Sequence, residues 1–170
     1  KNDVRLLARA LQRMGFDRII EKNDLTFEEV RATLRSFAAE SANAEVATVY
    51  YAGHGIEIGG QNYIIPIDAR LESDRDVAYE AVPIDLVLQS VEASSKLRLV
   101  VLDACRNNPF ASRMIRTGGG GRSIGRGLGY IEPGGTLVIY AAKHGQEAAD
   151  GGSGNSPFAT ALARHIETPG

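Results

Sequence analysis

His54 and Cys105 are the two side chains whose chemical types and surroundings suit covalent catalysis. Cys105 is the only cysteine; it follows the apolar run Leu97 to Leu102, inside Asp103-Ala104-Cys105-Arg106. His54 follows a second such run, Val46 to Tyr51, inside Ala52-Gly53-His54-Gly55. A free thiol has a pKa of about 8.5 and is mostly protonated at neutral pH. An imidazole beside it takes the proton, stabilises the thiolate and later protonates a leaving amine. The backbone N–H groups of Gly55 and Cys105 are candidates to hold a developing oxyanion, worth roughly 3 kcal/mol per donor. The glycines around His54 are expected to permit unusual dihedrals and a close approach of substrate. Bland readings stand beside these. A lone cysteine is usually a small buried hydrophobe, and His54 could be a structural residue of a Gly-rich turn. His144 is a rival base with no matching motif, and His165 falls in a helix and is expected at the surface.

For His54 and Cys105 to meet, their strands must be neighbours. In open α/β sheets the ligand site lies beyond the carboxyl ends of the strands. Both runs are continuous, β-branched and apolar, as expected of strands buried on both faces of a parallel sheet. Thr136 to Ala142 reads as a third strand, Phe16 to Ile20 as a short one, and Ile56 to Ile65 as a hairpin around Gly59-Gly60. Helices are expected from Val4, Leu7, Leu11 and Met14, closed by Gly15, and from the capping-box pair Thr26 and Glu29. Two more are expected from Pro83 to Val91 and after Ser156-Pro157. Asp68 to Glu80 reads as polar loop. The alternation of strand and helix predicts a parallel sheet covered on both faces.

Tyr50-Tyr51-Ala52-Gly53-His54-Gly55, followed by Asp103-Ala104-Cys105-Arg106-Asn107 with the Cys fifty-one positions after the His, resembles the caspase/metacaspase family, in its bacterial-type metacaspase-like form. The family signature is Gln-Ala-Cys-[Arg/Gln/Gly]-Gly, with its His about 50 residues upstream. Ala104, Cys105 and Arg106 fit it, while Asp103 and Asn107 depart from it. The resemblance implies an α/β caspase-like three-layer sandwich, a mostly parallel sheet with helices on both faces. It implies a cysteine endopeptidase with a Cys105–His54 dyad. Metacaspases carry Asp at the place of Asp103, where it lines the pocket for a basic P1 residue; that implies cleavage after Arg or Lys. A carboxylate there would pair with a cation and repel an aspartate side chain. Ala52 stands where metacaspases often have Ser, so this pocket wall loses one hydroxyl. Asp103 could instead satisfy loop amides at its strand end.

The rest of the chain bounds these expectations. Its 170 residues suit one domain, 1–170, expected to lack a first strand and the last elements of the family, because the chain starts within a helix and stops soon after another. Residues 113–135 read as a flexible Gly/Arg-rich loop and candidate processing segment, with Arg113, Arg116, Arg122 and Arg126 as candidate self-cleavage sites. No Gly-Lys-[Ser/Thr] follows its glycines, so it is not a phosphate-binding loop. Ala111 stands where a Cys-x5-Arg phosphatase needs arginine. Calcium enters as an option through the acidic loop residues Asp74, Asp76 and Glu80; no other cofactor is expected. With 19 basic and 21 acidic side chains the net charge is −2, so neither nucleic acid nor an anionic membrane is expected as partner. The expected partners are protein or peptide substrates with a basic P1 residue, and the oligomeric state is left open. A soluble protein is expected, with the cytoplasm favoured. A catalytically silent caspase-like interaction module and a non-peptidase thiol hydrolase are the alternatives.

Overall fold

The computed structural model describes residues 2–105, 110, 113–115, 117, 128–131, 134–141 and 154–167, with Cys105 described by its backbone. They divide into two compact units, Lys1–Asn23 with Ala148–Gly170, and Asp24–Glu147.

In the first unit α1 (Asn2–Arg13) packs against α5 (Pro157–His165). The Ser156 side chain caps α5 by accepting from the Ala159 N–H, and Pro157 occupies the first turn, where its missing N–H costs nothing. The Asp3 carboxylate accepts from the Ser156 N–H at 2.8 Å, and Arg13 pairs with Glu167. Gly15, with φ +87°, ends α1, and the Phe16 N–H returns to the Leu11 carbonyl. That donor closes the helix rather than joining a ladder, so the strand expected over Phe16 to Ile20 is not formed.

The second unit is built on a five-stranded sheet in the order β3-β2-β1-β4-β5. Its strands are β1 (Val46–Ile58), β2 (Gln61–Ile65), β3 (Val82–Pro83), β4 (Leu97–Cys105) and β5 (Leu137–Tyr140). β4 runs parallel to both β1 and β5, whereas β2 pairs antiparallel with β1 and β3. This is an α/β sheet, parallel where its long apolar strands meet and antiparallel at the hairpin. Gly59 and Gly60 both have positive φ, as the tight turn between β1 and β2 requires.

α2 (Phe27–Ser41) begins with the expected capping box: Thr26 accepts from the Glu29 N–H, and Glu29 accepts from the Thr26 N–H. α4 (Ile84–Val91) follows Pro83, and the Ser41 hydroxyl ties the two helices by donating to the Ser90 carbonyl at 2.8 Å. Both helices cover one sheet face, where Ile84, Val87 and Val91 of α4 join Ala47, Val100, Leu102 and Ala104 in the main core. Beyond the hairpin a second core joins Ile56, Ile58 and Ile65 to Leu71, Val77, Ala81 and Met114. The segment read as loop contains the one-turn helix α3 (Val77–Glu80), because Val77 is drawn into that second core.

β1 does not stop at Tyr51. It continues through His54 to Ile58, with β4 on one side as far as Cys105 and β2 on the other from Ile65 onward. The His54 stretch carries little apolar signal of its own, but both of its edges are paired.

Candidate active site

The register of β1 on β4 places the chemistry. Tyr50 pairs with Val101, Ala52 with Asp103, and His54 with Cys105. Paired positions share a sheet face and lie on strands about 4.8 Å apart, and residues two apart on a strand share that face too. Tyr50, Ala52, His54 and Asp103 therefore form one patch, with the Cys105 backbone position at its end. The patch lies on the face opposite α2 and α4, and the second core begins two residues beyond His54, at Ile56. His54 itself is exposed.

Gly53 and Gly55 point the other way. Neither has positive φ, so the unusual dihedrals expected beside His54 are not what these glycines supply. They supply space. A Cβ on Gly53 would lie 2.5 Å from the Tyr51 hydroxyl oxygen, and a Cβ on Gly55 would lie 2.7 Å from the Leu128 side chain. The Tyr51 ring folds back over Gly53, and its hydroxyl donates to the His54 carbonyl at 2.8 Å. Burial pushes the Tyr51 phenol well above its ordinary value. Nothing in the sequence pattern gives Tyr51 a task; the folded ring position reveals one. Leu128 was equally hidden, being an apolar residue flanked by glycines in a Gly- and Arg-rich stretch.

Asp103 is 6% exposed, and one of its carboxylate oxygens accepts from the Tyr50 hydroxyl at 2.8 Å. Its strand partner Ala52 adds only a methyl group at the adjacent position. Gly55 lies one residue past the His54–Cys105 pair, opposite Ile64 of β2.

Of the candidate self-cleavage residues, Arg113 is described, and its guanidinium lies 5.9 Å from the Phe110 ring centroid. It lines an open cleft of about 490 Å³ with Arg70, Leu71, Glu72, Phe110 and Ile115, none of which belongs to the His54 patch. Arg116, Arg122, Arg126 and the rival base His144 lie outside the described residues, and His165 is exposed on α5. Within 113–135, Met114, Leu128 and Ile131 are buried.

The carboxylates of the acidic loop accept from nearby amides and hydroxyls, within the loop and at Thr117. Glu80 accepts from the Arg70 and Leu71 N–H groups, Asp76 from the Ser73 N–H and hydroxyl, and Asp74 from the Thr117 N–H and hydroxyl. Those bonds from Thr117 hold the Asp74 carboxyl below its ordinary value. Among the described residues no three His, Cys, Asp or Glu side chains converge on a point where a cation would sit. No helix among the described residues is long and apolar enough to cross a membrane.

The model of the caspase domain of the C14 peptidases matches residues 1–170. Among curated proteins nothing matches.

Proposed function

The chain belongs to the caspase-domain family of cysteine peptidases, and on that premise we propose that it is an endopeptidase acting through Cys105 and His54 on bonds that follow Arg or Lys. The observation that carries the reading is the pairing of His54 with Cys105 on adjacent parallel strands. The Cys105 thiol passes its proton to the His54 imidazole, and the thiolate adds to the scissile carbonyl carbon. The resulting oxyanion is held by the Gly55 and Cys105 N–H groups. The C–N bond then breaks, the imidazolium protonates the leaving amine, and a thioester remains on Cys105. Water gives up a proton to His54 and attacks that thioester. The acid product leaves, and the proton returns to the thiolate.

The basic P1 preference rests on Asp103, one pleat repeat behind Cys105 on the same strand. A carboxylate at this place attracts the cationic side chain of a bound P1 residue, whereas an aspartate there would meet a like charge.

The test is hydrolysis of matched fluorogenic peptides ending in Arg, Lys or Asp, with and without added calcium, by the wild type and by Cys105→Ala. Turnover of the Arg and Lys peptides, absent in Cys105→Ala, is expected. Cleavage after Asp would keep the peptidase and remove the pocket assignment. Absence of turnover in every case would move the reading to a silent caspase-like interaction module, and full activity in Cys105→Ala would sink the mechanism.

A further inference from the structure

We propose that Tyr50 is a positioning residue for substrate specificity, its hydroxyl fixing the Asp103 carboxylate that receives the P1 cation. This deepens the basic P1 reading and rests on it. Tyr50 lies two residues before Ala52 and four before His54, on their face of β1. It pairs with Val101, so Asp103 is its diagonal neighbour across the ladder, within reach of a long aromatic side chain. The reach is used: the phenol oxygen lies 2.8 Å from Oδ2 of Asp103.

A carboxylate on a short side chain has two soft torsions, and each oxygen can accept more than one hydrogen bond. A tyrosine hydroxyl fixes one of these oxygens while leaving the negative charge in place, which an arginine or lysine at the same position would cancel. Its ring is rigid, so holding that geometry costs little side-chain entropy. The small Ala52 at the position between Tyr50 and His54 keeps bulk away from the carboxylate. The three residues thus divide the work: Asp103 supplies charge, Ala52 supplies room, and Tyr50 supplies orientation. Orientation matters because a guanidinium or ammonium gains full charge-assisted bonding only along the lone-pair directions of the acceptor.

The variant Tyr50→Phe keeps the ring and removes the hydroxyl. Steady-state kinetics on the Arg and Lys peptides, run on the intact protein alongside Asp103→Asn, read its effect. Losing a hydrogen bond to a charged group should raise KM for both peptides roughly tenfold, with kcat unchanged. The rate at which iodoacetamide alkylates Cys105, and its pH profile, should match the wild type, since neither depends on the P1 pocket. An unchanged KM in Tyr50→Phe, with Asp103→Asn impaired on basic peptides as expected, overturns this proposal alone. A fall in kcat together with the alkylation rate also overturns it, because Tyr50 would then support the fold of the site in general. If Asp103→Asn cleaves basic peptides as well as the wild type does, the basic P1 reading falls, and this proposal falls with it.

Discussion

Position 53 can carry no side chain, because the Tyr51 ring occupies the place where one would begin. The two residues act as a unit: glycine makes room, and the phenol uses that room to hold the His54 carbonyl. A methyl group at 53 would meet the Tyr51 Cζ at 2.7 Å as well as its hydroxyl, so the whole stiff ring would have to move. Gly53→Ala should therefore destabilise the protein by about 1–3 kcal/mol, the usual cost of overpacking, and lower turnover by releasing the His54 backbone. Denaturant unfolding and peptide hydrolysis measure the two effects, and a variant neutral in both would refute the coupling. Burial raises the Tyr51 phenol from its ordinary value of 10.0. The folded state therefore favours the neutral form. Its stabilising contribution is complete below the unfolded pKa and is lost as pH rises toward the folded one. The unfolding free energy should fall above about pH 10, and that limb should flatten in Tyr51→Phe. Equal alkaline slopes in the two proteins would show that Tyr51 is not the titrating group.

At the scale of elements, β1 places His54 and the 70–81 segment supports the hairpin that extends it. This segment contains a non-glycine left-handed turn at Leu71, with φ +49°. Such a backbone costs about 1–2 kcal/mol and persists only when its surroundings insist on it. Two features insist here. The Leu71 side chain is buried in the second core, and Glu80 accepts from the N–H groups of Arg70 and Leu71 at 2.6 and 2.8 Å. Glu80→Ala should therefore cost about 1–3 kcal/mol, leaving two amides to find other acceptors. Hydrogen exchange should show the loss concentrated at the amides of residues 70–71. Uniform exchange across the sheet would mean that the turn is held by Leu71 packing alone. This support was invisible in the sequence, where Asp74, Asp76 and Glu80 read as a cation-binding option. Their spacing cannot reveal that each carboxylate accepts from a backbone amide.

Across the whole molecule, what the sequence disclosed follows from where apolar signal is dense. Leu97 to Leu102 and Val46 to Tyr51 are apolar and β-branched enough to announce strands, although Leu97 is exposed and only Ala47 of the second run is fully buried, and Thr26 with Glu29 announces α2 through its cap. Register gives no such signal. The pairing of His54 with Cys105 follows from neighbouring strands, but the Tyr50–Asp103 bond needs the exact alignment that only the sheet sets. Likewise β3 has two residues, too few for a pattern, and Leu128 and Ile131 reach the main core from a stretch whose composition reads as loop. Those two residues change what a cut in the 113–135 stretch would do. Before residue 118 the chain is tied to the 72–74 loop: the Ile115 N–H donates to the Glu72 carbonyl at 2.8 Å, and Thr117 donates to Asp74. After residue 127, Leu128 lies against Gly55, the Gly129 N–H donates to Asn62, and β5 pairs with β4. Both flanks are thus held within the second unit, one by the 72–74 loop and the second core, the other by the sheet. Limited tryptic digestion of Cys105→Ala, cutting after Arg122 or Arg126, should yield two bands under denaturing conditions and a single species in native size exclusion. Cutting after Arg113 should be slower, because Met114 is buried and its N–H donates to the Phe110 carbonyl. Leu128→Ala should cost about 2–5 kcal/mol by leaving a cavity beneath β1, and it should let the nicked halves part at lower denaturant. Separation of the wild-type halves in plain buffer would show that the flanks do not hold and that the connecting chain is needed to keep the sheet closed.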